Sequence, residues 1–431
     1  MKNTDIKLQN QMIYSIYVRN HTSEGTFKAV EQDLDRIKEL GTDIIWFLPI
    51  HPIGIKGKKG SLGCPYSIQD YRSVNPEYGT LDDFKHLVQE IHKRNMKCII
   101  DVVYNHTSRD SVLSKEHPEF FYKNENNEMG NKVGDWTDVY DLDYSNHDLW
   151  DYLRDTLVYW AQIVDGFRCD VASFIPVEFW KYAQEAVFKV NPDCIWLAES
   201  VHLSFGHMAR KKGMYAAKDV ELYECFDMEY DYDIREVFEK YLEGKYALSH
   251  YAQALNFQEN MYPSNYNKIR FLENHDTKRF VEYVNEEAPL INYSAMIFFL
   301  KGTTLIYAGQ EYVNDHTPSL FEIDTINRHT GKNLSGLFNR LSEIQHDILG
   351  CDDFFDCDAD DENDILVCVR ENEQSIKVGI FSLKGNSGDV SIPLENGPYF
   401  NEIDGQPVFV VANMVHCDGW PIILNVKKGK R

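Results

Sequence analysis

Several things are missing from this 431-residue chain. No apolar run is long enough to cross a bilayer, which argues against a helical membrane protein. The amino terminus, MKNTDIKLQNQMIYSIYV, lacks the apolar core and cleavage site of a secretory signal, so none is expected. No CxxC pair points to zinc. The nine cysteines are scattered, and Cys98, Cys169, Cys194 and Cys368 fall inside apolar strand candidates. They read as reduced core residues and not as a disulfide framework, which suits the cytoplasm. Positive charge is scarce: 44 Lys and Arg face 68 Asp and Glu, for a formal charge of −24. That balance argues against nucleic acid and anionic membranes as partners. It suits a protein that acts on neutral small molecules or polymers.

Aromatic residues make up 13% of the chain, 26 of them Tyr. Rings that stack on sugar faces are one use for them, and ordinary packing is another. Apolar β-rich runs alternate with amphipathic helical stretches. The strand candidates are IYSIYV, DIIWFLP, KCIIDVVY, IVDGFRCD, CIWLAES, ELYECF, IRFLENHD and TTLIYAG, eight in all. Most are followed by a helical stretch, such as AVEQDLDRIKELG or LDDFKHLVQEIHKRN. Apolar runs of this kind suit parallel strands buried on both faces. Eight β–α units predict an α/β fold, a closed (β/α)₈ TIM barrel.

Two regions break the rhythm. Residues 107–140 are polar and rich in Gly and Asn, and predict a short inserted domain after strand 3. From residue 350 to 431 the pattern turns to period-2 strands without helices, which predicts a C-terminal antiparallel β domain. The barrel then comprises residues 1–106 and 141–349. The acidic stretch CDDFFDCDADDENDI (351–365) has Asp361 and Val367 where a calcium loop needs Gly and Glu, so it reads as a solvated linker.

Active sites of such barrels lie at the C-terminal ends of the strands. Strand 3 ends in Asp101, Asn105 and His106; strand 4 in Arg168 and Asp170; strand 5 in Glu199; strand 7 in Asn274, His275 and Asp276. Arg168 and Asp170 are two apart, so they face the same way. A retaining glycosidase needs a carboxylate nucleophile and a carboxylic acid across the scissile bond. An arginine beside the nucleophile would keep it ionised, and crowding by other carboxylates would keep the acid protonated. A metallohydrolase centre is the rival reading, and the arginine weighs against it because it competes with a cation for Asp170.

DVVYNH (101–106), GFRCDVAS (166–173), WLAES (196–200) and FLENHD (271–276) resemble, in order, the four motifs of the α-amylase family, family 13 of the glycoside hydrolases. PYSIQDYRSVNPEYGTLDDF, VYDLD and YAGQE add to the likeness. The resemblance implies a barrel with a small insert and a C-terminal β-sandwich. It implies Asp170 as nucleophile, Glu199 as general acid/base and Asp276 as the third carboxylate. Arg168, His106, His275 and Tyr66 match the residues that surround the sugar. The implied substrate is an α-glucan oligosaccharide or polysaccharide, and the chemistry requires no cofactor.

The likeness is incomplete. Asn105 and Asp141 match positions that hold a structural calcium in many members. Yet the second motif usually continues with Lys-His, where this chain has Ser173-Phe174. The histidine lends only a backbone carbonyl, which Phe174 can supply, but Ser173 cannot replace the lysine's contact with sugar on the leaving-group side. Calcium binding and simple hydrogen bonding of the inserted loop both stay open for Asn105 and Asp141. Val171 after the nucleophile occurs in relatives that act on α-1,6 links, cyclodextrins or pullulan, whereas VYDLD looks more like α-amylases. The short insertion predicts an open cleft and cuts at internal α-1,4 links. Cyclomaltodextrinase, neopullulanase, α-glucosidase, glucan transferase and a non-catalytic glucan-binding homologue remain alternatives.

Overall fold

The computed structural model describes residues 4–133, 135–347 and 354–428. Eight parallel strands close into a barrel: β1 (Met12–Ile16), β2 (Ile44–Phe47), β3 (Lys97–Val102), β4 (Gly166–Cys169), β5 (Ile195–Ala198), β6 (Met228–Tyr230), β7 (Lys268–Arg270) and β8 (Thr303–Tyr307). Each strand pairs with the next in sequence, and β8 pairs with β1 to close the ring. Every β1 and β2 residue is buried, as strands covered on both faces should be.

Helices fill the connections, and local chemistry sets their ends. Leu81–Lys93 starts at a capping box, in which Thr80 Oγ1 accepts from the Asp83 N–H (3.1 Å) and Asp83 Oδ2 accepts from the Thr80 N–H (2.9 Å). Phe84, Leu87, Val88 and Ile91 recur at helical spacing and form its buried face. Gly166 opens β4 because a Cβ there would sit 2.3 Å from the Ile195 carbonyl oxygen. Without a side chain at that point, β4 can lie against β5, and both strands end at the same mouth.

The sixth strand departs from expectation. ELYECF does not form it: Asp219–Leu222 is a short helix, and β6 is Met228–Tyr230 instead. A six-residue apolar–polar alternation cannot by itself tell a strand from a helical turn.

Beyond the barrel, Phe354–Asp360, Ile365–Glu371, Ser375–Ser382 and Ile422–Lys427 form a four-stranded antiparallel sheet, and two further strand pairs lie between residues 388 and 417. The sheet docks on barrel helices. The Asn256 side chain brackets the Cys357 backbone with two hydrogen bonds of 2.8 Å, and Phe381 meets Phe299 edge-on. The acidic stretch is therefore a strand where a linker was expected. Phe355 and Cys357 point inward and Asp356 and Asp358 outward, a period-2 pattern masked by the run of aspartates. Residues 351–353 of that stretch, and the expected boundary near residue 349, lie outside the described residues. The reading of all cysteines as reduced also needs correction. Cys357 and Cys368 are direct cross-strand partners, 4.2 Å apart at Cα, and form a disulfide. Spacing in sequence could not reveal that register. Among the described residues, no helix is long and apolar enough to cross a membrane.

Candidate active site

The strand ends bring together the residues that the sequence singled out there. Arg168 lies inside the barrel mouth with its side chain 1% exposed. Its Nη1 donates to Asp101 Oδ1 (3.1 Å) and Asp170 Oδ1 (2.9 Å), and its Nη2 reaches Glu199 Oε1 at 2.8 Å. One guanidinium thus holds carboxylates from β3 and from the ends of β4 and β5. The rings of Trp46, Tyr230 and Tyr66 lie 5.1, 5.7 and 5.8 Å from its centre and add cation–π attraction.

The backbone places Asp170 and Glu199. The Asp170 N–H donates to Val102 O and the Glu199 N–H to Cys169 O, which extends the barrel ladder by one residue at each strand. The chain then turns sharply. Val171 adopts a left-handed conformation (φ 36°, ψ 46°), uncommon for a β-branched residue and costly. The turn aims its N–H at Glu199 Oε2, 2.7 Å away. Glu199 is therefore held from both sides, by Arg168 and by the residue that follows Asp170.

Tyr66, His275 and Asp276 form the opposite side. The Tyr66 hydroxyl donates to Asp101 Oδ2 (3.0 Å) and lies 2.7 Å from His275 Nε2. The two rings are stacked at 5.4 Å between centroids. Asp276 Oδ2 is 3.1 Å from His275 Nε2, and its side chain, 49% exposed, is the most open of the carboxylates. His106 sits beneath Trp136, with ring centroids 5.0 Å apart. Tyr66, His106, Asp170, Glu199 and Asp276 all line one cleft of about 330 Å³.

The charges explain how the groups titrate. Burial raises Asp170 to about 7, against the pull of Arg168, with Asp101 and Asp276 adding to the rise. Burial likewise raises Glu199 to about 7, again against Arg168, with Asp170 adding to it. Asp101 rises to about 6 for the same first reason. The arginine was expected to hold Asp170 below the usual carboxylate range. It does not, because burial outweighs the pull of a guanidinium that Asp101 and Glu199 also bind. Burial pushes Asp276 up too, but the His275 ring beside it brings it below the usual value. His275 is raised, since Asp276 outweighs its burial, and burial lowers His106. Two carboxyls this close cannot both ionise readily, so the pair loses its protons in two steps. Such a pair can present one anion and one acid at neutral pH.

Asn105 and Asp141 also come together. His106 pairs with Asp141 across a short antiparallel ribbon, and the Leu142 N–H donates to Asn105 O at 3.0 Å. Asp141 Oδ2 accepts from the Lys132 N–H (2.7 Å), while its Oδ1 is buried without a hydrogen-bond partner. An orphaned, buried carboxylate oxygen fits a hard cation, while the Asn105 amide nitrogen is bonded to His106 Nδ1 at 3.1 Å. Among the described residues no group of three or more His, Cys, Asp and Glu is arranged to hold a metal.

Sequence reasoning missed the residues that frame these groups. Trp46 and Tyr230 cradle Arg168, but Trp46 reads as a core strand residue and Tyr230 lies outside every strand candidate. Lys59, Trp136, Asp138, Leu320 and Phe321 line the cleft from loops without periodicity. Near Glu199, Val171, Phe174, Ala209 and Ala216 form a small apolar cluster with Trp136, Val201, Phe205 and Met214. Phe174 meets Phe205 edge-on at 5.1 Å there. The position of the family's Lys-His thus belongs to an apolar wall.

Known proteins share the family and the fold. The family described as "Alpha amylase, catalytic domain" matches residues 9–347, and "Bacterial Alpha amylase C-terminal domain" matches residues 356–424. The crystal structure of an alpha-amylase from Lactobacillus plantarum superposes with a TM-score of 0.94 at 43% identity, covering 98% of this chain and 100% of that one. A noncanonic maltogenic alpha-amylase from Thermotoga neapolitana gives 0.87 at 30% identity, covering 98% and 100%. Alpha-amylase MalA of Haloarcula japonica is 25% identical over 350 residues, 79% of this chain and 49% of that protein. The chain thus spans about half the length of the first curated relatives that it matches.

Proposed function

The chain belongs to the α-amylase family, and from that premise we propose that it is a retaining glycoside hydrolase cleaving α-1,4-glucosidic bonds in malto-oligosaccharides or starch-type glucans. One observation carries the reading: Arg168 joins Asp170 and Glu199 at the mouth of the barrel while burial raises both carboxyls. Asp170, as the anion, attacks the anomeric carbon. The bond to the leaving sugar breaks as Glu199 gives its proton to the glycosidic oxygen. Glu199 then takes a proton from water, the water attacks the anomeric carbon, and Asp170 is released. Two inversions give net retention. Asp276, paired with His275, stays ionised and faces the positive charge that develops on the ring. Tyr66, stacked on His275, offers its ring to the sugar, and His106 its imidazole. The two steps require no cofactor.

Glu199→Gln tests the assignment. The variant should keep kcat/KM for α-glucosyl fluoride, whose leaving group needs no acid, while its kcat falls because the second step loses its base. It should lose about 10²–10⁴-fold on maltoheptaose. Equal losses of kcat/KM on both would move the acid elsewhere.

Asn105 and Asp141 would hold a structural calcium, which would supply charge to the orphaned Asp141 oxygen and tie the inserted loop to β3. Added calcium should raise Tm, and Asp141→Asn should abolish that rise. Buried, unbridged thiols at Cys98 and Cys169 favour the cytoplasm as the working compartment, and the Cys357–Cys368 disulfide weighs against it. The apolar wall beside Glu199 favours a second outcome for the glycosyl intermediate, transfer to a sugar hydroxyl in place of water. Product analysis at high maltose concentration reads that directly.

A further inference from the structure

The short insertion suggested an open cleft, but the loop between β2 and the Leu81–Lys93 helix builds a wall across one end of it. Lys59 Nζ reaches the inserted segment, 3.3 Å from Asp138 Oδ1 and 3.4 Å from the Asp135 carbonyl oxygen. Two residues on, the same loop is bonded to the segment after β8. The Ser61 N–H donates to Glu322 Oε1 (2.7 Å), its hydroxyl donates to Glu322 Oε2, and the Leu62 N–H donates to Phe321 O at 3.1 Å. Gly60 is left-handed (φ 62°), and a Cβ there would sit 2.5 Å from Phe321 Cβ, so the two loops touch at backbone distance. The far side is anchored too, since Leu320 O accepts from the Tyr17 hydroxyl at 3.2 Å. Residues 59–62 therefore run as one bonded span from the inserted segment to the β8 loop.

The span lies on a definite side. Lys59, Leu320 and Phe321 line the cleft, and the chain runs from the span through Cys64 to Tyr66, which lines it as well. Lys59 and Asp138 lie near enough to His106 and Cys64 to act on their charge, on the Tyr66–His106 side of the cleft, while Glu199 is held by Arg168 and the Val171 N–H. In the hydrolase reading, on which this inference rests, the sugar carried by Asp170 lies over Tyr66 and against His106. Its 4-oxygen leads away from Glu199, toward the non-reducing end of the glucan.

We propose that residues 59–62 close the cleft on the non-reducing side, so that Lys59 and Asp138 meet the hydroxyls of a chain end and the protein releases short units from that end. A half-exposed ammonium paired with a buried carboxylate supplies donors and an acceptor for a terminal sugar. An internal segment has no free end to place there and would have to pass through the wall.

The test compares p-nitrophenyl maltoheptaoside with the same compound capped by a benzylidene group on its non-reducing sugar. Cleavage is followed by chromatography, with Asp170→Asn as the blank. The wild type should cut the free compound at least ~10-fold faster than the capped one, since a filled pocket end rejects added bulk. The first product from the free compound should be one short malto-oligosaccharide. The Lys59→Ala/Glu322→Ala variant, released from both anchors, should narrow the ratio by raising cleavage of the capped compound. Equal rates on both compounds in the wild type would overturn the wall and leave the hydrolase standing. Cleavage of neither would overturn both readings.

Discussion

The barrel contains two buried cations, each shared among three carboxylates. Arg168 holds Asp101, Asp170 and Glu199, and Lys268 holds Asp219 (2.6 Å), Asp233 (3.3 Å) and Glu229 (3.4 Å). Both cations are flanked by aromatic rings, with Tyr262 4.5 Å from Lys268 Nζ and Trp46 5.1 Å from the Arg168 guanidinium. Burial raises Glu229 and Asp219 as it raises Asp170 and Glu199. Neither charge composition nor shifted titration tells the two clusters apart. Position along the strand does. Lys268 opens β7, at the N-terminal end, where side chains serve stability. Arg168 is one residue from the end of β4, and Asp170 lies just beyond it, at the end where the loops form a cleft.

The largest effect should separate the clusters outright. Asp170→Asn should lower turnover of maltoheptaose by at least ~10⁴-fold. Lys268→Met should leave kcat of the folded protein essentially unchanged. Its cost should appear in denaturant unfolding, at about 3–5 kcal/mol, because three buried carboxylates lose their only shared cation. A Lys268→Met enzyme that is stable but inactive would erase the contrast.

The second effect is on the pH profile. Raised carboxyls near 7 predict a bell-shaped kcat/KM, falling at low pH as Asp170 gains a proton and at high pH as Glu199 loses one. The high-pH limb should appear on maltoheptaose and be absent on α-glucosyl fluoride, whose departure does not use the Glu199 proton. Substitutions at Lys268 should leave both limbs in place.

The smallest effect is on stability at the site itself. An Asp raised from about 3.9 in the unfolded chain to about 7 in the fold binds its proton more tightly when folded. Its contribution is full below the unfolded value and is lost as pH rises through the folded one. Asp170→Asn should therefore raise Tm at pH 8 by about 1 °C, a size expected for ~1 kcal/mol in a chain of this length. The rise should vanish below about pH 4.

The candidate catalytic cluster is legible in the sequence because strand ends are marked by apolar runs that stop at charges. Arg168, Asp170, Glu199 and Asp276 all sit where such a run breaks off, and two-residue spacing put Arg168 and Asp170 on one side. The Lys268 cluster carried no such mark, since Lys268 precedes its apolar run. The wall at residues 59–62 was also invisible, because it depends on contacts with residues 135–138 and 321–322, far off in the chain. The strand at Phe354–Asp360 does alternate at period 2, but its outward positions are aspartates, which an exposed acidic linker carries as well. The burial that reverses the expected shift of Asp170, and the sharing of Arg168 among three carboxylates, needed all three strand ends in place.

The most direct measurement of the central claim is proton NMR of the first products from maltoheptaose, wild type beside Asp170→Asn. A double displacement through Asp170 predicts that new reducing ends appear as the α-anomer and mutarotate afterwards, with no product from the variant. New ends that appear as the β-anomer, or undiminished cleavage by Asp170→Asn, would contradict it.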